Sequence, residues 1–386
     1  MFWHRLPKPF LVLAPMDDVT DVVFRQIVAE VGRPASAEAT AGKPDVFFTE
    51  FVNVDALCSA GREAQSRRLL YTEDQRPIVI QIWGKEPEHF RKVATELVAM
   101  GFDGIDVNMG CPDRTVLKNG LCSALIEDHD RAAEIIAAVK EGREGSFIHP
   151  SPAAAGTCLP AGREGRGERV PLPEPSPPTP PPLRKGRGGK IPASLLPVSV
   201  KTRIGIKKPV TEDWIGFLLE QGLDAITIHA RTVKDMSKAP ARWGEIAKAV
   251  KLRDSMGKGT VIIGNGDVTS RAQALAYAEE YGVDGVMIGR GIFQNLWLFH
   301  PEKCDQAIVP HERLRVLRRH IELYRDTWGE TRSFEILKKF VKVYISGFPG
   351  AAEMRKSLLE AKGYDALLVC CERMTQSSVA TGIPTN

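Results

Sequence analysis

The 386-residue sequence has no apolar run long enough to cross a bilayer as a helix. Its first residues, MFWHRLPKPFLVLAPM, hold one short apolar stretch before Asp17 and Asp18, which is not the pattern of a signal peptide. Cysteine is sparse and unpaired by pattern. The seven, at 58, 111, 122, 158, 304, 370 and 371, include no C-x-x-C and are odd in number. Neither a zinc site nor a disulfide framework is expected, and no other metal is. A reducing compartment fits, so the expected location is cytoplasmic, away from membranes. A Gly-rich turn is missing too. The first strand runs into PMDDVTD, not G-x-G-x-x-G, which argues against an open dinucleotide-binding sheet. Nor does either charge dominate, since the net value is +4. That permits an anionic partner and proves none.

What is present is a repeating pattern. Short β-branched runs stand at 10–16, 45–50, 77–84, 104–110, 197–205, 225–230, 260–267 and 285–290, making eight. Segments of helical periodicity separate them, such as 87–101 and 270–282. Continuous apolar strands alternating with helices imply a parallel sheet covered on both faces. Eight such units predict an α/β fold of the (β/α)8 TIM-barrel type over residues 1–300. From 301 to 386 the helical spacing continues without strands, which predicts a small C-terminal helical domain of three or four helices. Basic residues cluster there: Arg313, Arg315, Arg318 and Arg319; Lys338, Lys339 and Lys342; Arg355 and Lys356. One segment fits neither part. Residues 171–182, PLPEPSPPTPPP, sit within a Pro/Gly/Arg-rich insertion at about 144–193 that cannot build a core and is expected to be a disordered or polyproline-II loop.

Active sites of such barrels form at the C-terminal ends of the strands. Those ends carry Pro15 and Met16, Gln81, Asn108 and Cys111, Lys201 and Arg203, His229 and Arg231, Asn265-Gly266-Asp267, and Gly289-Arg290. Lys201 and Arg203 are two residues apart and so share one strand face. A charged group in an apolar strand is costly without a partner, so this pair calls for an anion or a polar ring. Two glycine turns after the last two strands suit a phosphate. Together they suggest a phosphorylated cofactor with a polar ring, and flavin mononucleotide (FMN) fits. Cys111 lies between Gly110 and Pro112 in "DVNMGCPDRTV", where the backbone is tightly held. An arbitrary free Cys is more often a buried small hydrophobe.

The motifs "LAPMDDVTD", "TE", "QIWG", "DVNMGCPDRTV", "VKTRIG", "IHART", "IGNGDV" and "IGRG" stand in the order found in tRNA-dihydrouridine synthases, and the chain resembles that family over about 8–143 and 195–300. KKFVKVYISGFPGAAEMR extends the resemblance into the tail. The resemblance implies an FMN-bound barrel that reduces the C5–C6 bond of particular uridines in tRNA, with NADPH (or NADH) as reductant. It implies Cys111 as proton donor. It implies FMN contacts at Pro15, Met16, Asp17, Gln81, Lys201, Asn265, Gly266, Asp267, Gly289 and Arg290, with His229 near the ring and Asn108 beside the base. Arg203 and Arg231, cations at strand ends, are added as candidate substrate contacts. The tail would grip tRNA, and a monomer is expected. Two stretches depart from the family pattern: Asp18 stands where it usually has glycine, and GLCSALI (120–126) lacks the second glycine common after the G-C-P segment. Two other functions stay open. One is an FMN barrel enzyme acting on a small pyrimidine, as dihydroorotate dehydrogenase does; the basic tail argues against it. The other is a tRNA-binding protein without catalysis, against which Cys111, Lys201 and His229 argue.

Overall fold

The computed structural model describes residues 1–33, 42–145 and 196–380. Nine parallel strands form the sheet: β1 (Phe10–Leu13), β2 (Val46–Phe48), β3 (Val52–Asn53), β4 (Ile78–Trp83), β5 (Gly104–Met109), β6 (Val198–Arg203), β7 (Ala225–His229), β8 (Val261–Asn265) and β9 (Gly285–Ile288). Their order is β2-β1-β9-β8-β7-β6-β5-β4-β3, and β2 also pairs with β4. That second pairing closes an eight-stranded barrel and leaves β3 as a two-residue extension against Ile82 and Trp83. The eight expected strands are all present. The ninth lies just past the expected 45–50 run and is too short to leave a periodic signal.

Alternation along each strand sorts side chains into two layers. Leu11, Leu13, Phe47, Ile80, Ile105, Val107, Val200, Ile226, Ile228, Ile262 and Val286 face the surrounding helices. Phe10, Val12, Val46, Phe48, Val79, Ala225, Val261, Ile263 and Met287 fill the inside. A helical turn, Phe2–Arg5, closes the N-terminal end with Trp3, whose ring centroid is 5.8 Å from that of Phe10 and 6.5 Å from that of Phe48. The lower barrel is thus dry and filled. Going up the same inward rows, apolar residues give way to Gln81, Asp106, Asn108, Ser199, Lys201, Thr227, His229 and Asn265. Sequence order alone puts this polar set at the C-terminal mouth.

After residue 300 the described chain forms helices Pro310–Trp328, Glu335–Lys338, Val341–Tyr344, Ala351–Glu360 and Tyr364–Ala380. Two are single turns, which explains the lower count expected from periodicity. Pro310 opens the first of them, at a position where a missing N–H costs nothing. These helices share one apolar core with the barrel's outer layer. Phe340 stacks at 5.0 Å on Phe24 of the helix Val22–Gly32. The insertion expected at about 144–193 lies outside the described residues, except for its first two positions, which end the helix His129–Gly145. Among the described residues no helix is long and apolar enough to cross a membrane.

Candidate active site

A continuous hydrogen-bonded chain crosses three strands at the mouth. Ser199 Oγ donates to Asp106 Oδ1 at 2.6 Å, and Gln81 Nε2 donates to Asp106 Oδ2 at 2.7 Å. Asn108 Nδ2 donates to Gln81 Oε1 at 3.1 Å. Asn108 Oδ1 then accepts from the backbone N–H groups of Gly110 at 3.0 Å and Cys111 at 3.1 Å. The strand period puts Asp106 and Asn108 on one face, and register places Gln81 opposite Asp106 and Asp106 opposite Ser199. Burial pushes the Asp106 carboxyl up to about 6, while its two donors and the Lys201 charge pull the other way. At neutral pH it remains mostly a carboxylate.

Lys201 faces the mouth from β6 and has no hydrogen-bond or ion-pair partner among the described residues. Its pKa is lowered to about 8 by burial and by Arg203, against the pull of Asp106 and Cys111. His229, opposite Arg203 in register, is held well below the usual imidazole range by burial and by the surrounding cations Lys201, Arg203, Arg231 and Arg290. It is therefore neutral at pH 7.

The Cys111 turn is fixed on several sides. Besides the Asn108 contact, Ser123 Oγ donates to Cys111 O at 2.5 Å and Arg203 Nε donates to Gly110 O at 2.8 Å. Burial raises the Cys111 thiol above its ordinary value, outweighing nearby Arg203. The thiol stays protonated at neutral pH. Arg203 also donates to the carbonyls of Thr232 at 3.2 Å and Met236 at 3.3 Å. This cation ties loops together through Nε and Nη1.

Arg231 is similar. Its Nη2 reaches both Asp267 oxygens at 2.6 Å, its Nε donates to Ala239 O at 2.5 Å, and its Nη1 lies 3.5 Å from His229 Nε2. Asp267 also accepts from Ala241 N at 2.9 Å and lies 3.8 Å from the more exposed Arg290. Gly266 has φ +135°, and a Cβ there would stand 2.8 Å from Ala241. A Cβ on Gly291 would stand 2.2 Å from Val268 O. The turns after β8 and β9 therefore pack back to back with their backbones in contact. Asn265 Nδ2 bridges them lower down by donating to Met287 O at 2.8 Å. Gly289 begins the second turn.

Beside the β9 turn, Pro15, Met16 and Asp17 follow β1. Thr20 Oγ1 accepts from Met16 N at 2.9 Å, and Asp17 pairs with Arg68 at 2.8 Å. Asp18 N donates to Glu50 Oε1 at 2.6 Å. The residues singled out from the sequence thus surround one mouth, with Arg203 and Arg231 committed to its walls. Asp106 and Ser199 are not among those singled out. Both are legible in principle, because D-x-N and S-x-K place them one inward step below Asn108 and Lys201. No group of three or more His, Cys, Asp and Glu that could hold a metal ion is found among the described residues.

A closed parallel barrel with a dry floor, a donor-rich mouth and a protonated thiol on a pinned turn defines a TIM-barrel enzyme. The family model for dihydrouridine synthase matches residues 12–144 and 191–379. "Probable tRNA-dihydrouridine synthase 2" of Bacillus subtilis (strain 168) is 39% identical over 368 residues, covering 94% of this chain and 93% of that relative. "Probable tRNA-dihydrouridine synthase" of Staphylococcus aureus (strain COL) is 39% identical over 365 residues, covering 94% and 92%. Among solved structures, DHODH in complex with ferulenol from Eimeria tenella is 13% identical, with TM-score 0.42 and coverage of 73% and 76%. The chain belongs to the dihydrouridine synthase family, oxidoreductases that act on uridines of tRNA.

Proposed function

We propose that this chain binds FMN in the barrel mouth and, with NADPH (or NADH) as reductant, reduces the C5–C6 bond of particular tRNA uridines, Cys111 supplying the proton to C5. The observation that carries this reading is the Cys111 thiol, kept protonated by burial on a turn that Asn108, Arg203 and Ser123 all hold. The residues suit the cofactor. The unpartnered Lys201 ammonium and the spare amide valences of Gln81 offer donors to a polar ring edge. The backbone turns Asn265–Asp267 and Gly289–Arg290 suit a phosphate, with Arg290 as its cation. Pro15, Met16 and Asp17 would flank the ring, and neutral His229 would lie beside it without adding charge.

When bound, FMN supplies the hydride that goes to C6 of uracil. The protein's own work is to seat the base, keep Cys111 in its acid form and deliver that proton to C5. Asn108 fixes the Cys111 backbone and has one N–H left for the base. Arg203 and Arg231 hold the rim on which the base rests. A base inside folded RNA must leave its stack to reach this depth, so the RNA backbone must be gripped elsewhere. Residues 301–386 serve that purpose. Arg315, Lys342 and Lys356 are exposed there and have no hydrogen-bond or ion-pair partner among the described residues. The test is to titrate the protein with FMN and then measure dihydrouridine in an unmodified tRNA transcript after incubation with NADPH. A protein that takes up FMN and forms no dihydrouridine would refute the assignment.

A further inference from the structure

We propose that Asp106 is a positioning residue. Its side chain is the acceptor at which the hydrogen-bond chain from the Cys111 turn ends, and together with Asn108 it fixes which atoms of the Gln81 amide meet the ligand. The inference rests on the FMN reading above for its ligand.

The argument is a count of donors and acceptors. Asn108 Oδ1 already accepts two backbone N–H groups, from Gly110 and Cys111. Its orientation is therefore fixed, and its Nδ2 must donate. Gln81 must meet that donor with Oε1, as it does. Its Nε2 then points to position 106, where only an acceptor can satisfy it. Asp106 is an acceptor at both oxygens and takes Ser199 on the other one. Every link from the Cys111 turn to Asp106 donates toward the carboxylate, and Ser199 donates into it from the other side. Gln81 is left with one N–H and one lone pair, Asn108 with one N–H. These are the valences that a polar ring edge meets. Gln81 and Asp106 are 1% and 0% exposed, so water cannot rescue a mismatched link.

Two substitutions together reverse this hydrogen-bond chain. In Asn108→Asp, the carboxylate still accepts Gly110 and Cys111, but its second oxygen faces Gln81 Oε1. If Gln81 turns over, its oxygen meets Asp106 instead. Two acceptors collide either way. Adding Asp106→Asn removes the collision. The new amide at position 106 donates to the turned Gln81, while its oxygen still accepts Ser199. The new carboxylate at position 108 accepts Gln81 Nε2. The double variant carries the same charge as the parent with the chain running backwards. Asp106→Asn alone keeps the parent direction, with its amide nitrogen turned to Ser199.

The experiment is a double-mutant cycle on the full chain, reading thermal stability without flavin, FMN affinity, and the midpoint potential of bound FMN. Asn108→Asp should weaken FMN binding by roughly 10- to 100-fold, the worth of one mismatched buried link. The double variant should regain most of that affinity and stability, and its flavin potential should differ from the parent's because Gln81 presents its atoms reversed. If Asp106 and Asn108 act only through packing, the two losses add and the potential stays put. A double variant no better than Asn108→Asp in stability and affinity would overturn the proposal. If the parent takes up no FMN, the cofactor reading fails instead, and the flavin-free stability cycle still decides the direction of the chain.

Discussion

Arg332 and Asp21, 311 residues apart in sequence, form a buried ion pair between the helical tail and the first loop of the barrel. The two side chains are 5% and 8% exposed. Asp21 also accepts from Phe24 N at 2.8 Å and so caps the helix Val22–Gly32. Arg332 lies 5.8 Å from the Tyr324 ring and 5.6 Å from that of Trp328, and it reaches Asp18 at 3.3 Å. Lys339 donates to Asp18 O as well. The tail therefore grips the loop that continues into Met16 and Asp17.

Removing one member of a buried pair leaves the other charge stranded. Arg332→Ala should cost about 3–5 kcal/mol in chemical denaturation, the usual loss for such a site. A loss below about 1 kcal/mol, the range of exposed pairs, would show that the contact is incidental.

The two stretches that depart from the family pattern meet the same backbone demand. Asp18 has φ +54° and Cys122 has φ +51°, in the left-handed region where glycine is at ease. Asp tolerates it better than Cys does. Comparing Cys122→Gly with Cys122→Ala isolates the backbone term, because both lose the thiol. The glycine variant should be the more stable by about 1 kcal/mol in thermal or chemical unfolding. Equal stability would mean that the turn relaxes without strain.

The basic clusters of the tail are mostly occupied. Arg318 pairs with Glu322, Arg319 with Glu30 and Lys338 with Glu335, while Arg355 donates to Ile345 O. Lys342 is exposed and lines a cleft with Val19, Phe293 and Ser346. Lys342→Glu should weaken tRNA binding and reduce the log–log salt slope by about one, the share of a single phosphate. Lys338→Glu should do less. Identical affinities and slopes for Lys342→Glu and the parent would remove this face from the tRNA surface.

A contact between Lys201 and FMN should give FMN binding a pH dependence. The Lys201 pKa of about 8 lies below the ordinary ammonium value, because burial and Arg203 disfavour the charge, with Asp106 and Cys111 opposing and His229 neutral beside it. A ligand that accepts from the ammonium binds the protonated form. Affinity should be full below about 8 and fall as pH rises through it, with proton uptake on binding just above. Lys201→Met should bind FMN more weakly and lose this limb. A parent profile flat from pH 7 to about 9 would contradict the assigned contact.

Much of the architecture is legible in the sequence. β-Branched runs bounded by Gly, Pro and Asp mark all eight barrel strands, because parallel strands buried on both faces must be apolar throughout. Strand ends then identify Gln81, Asn108, Lys201 and His229. The rim contacts of Arg203 and Arg231 are not legible. A cation at a strand end looks the same whether its fork meets substrate or the carbonyls of Gly110 and Ala239. The Arg332–Asp21 pair is non-local and leaves no periodic trace. Cys122 begins a 3₁₀ segment, Cys122–Glu127, from a left-handed conformation that propensity does not reveal.

The most direct test of the proton-donor role is single-turnover oxidation of pre-reduced Cys111→Ala by unmodified tRNA. The variant should bind FMN, accept electrons from NADPH and bind tRNA as the parent does. Oxidation by tRNA should slow by about 10²–10⁴-fold, the usual worth of one general acid, while Cys122→Ala keeps the parent rate. A parent-like rate in Cys111→Ala would contradict that role and leave the thiol as a packing residue on a pinned turn.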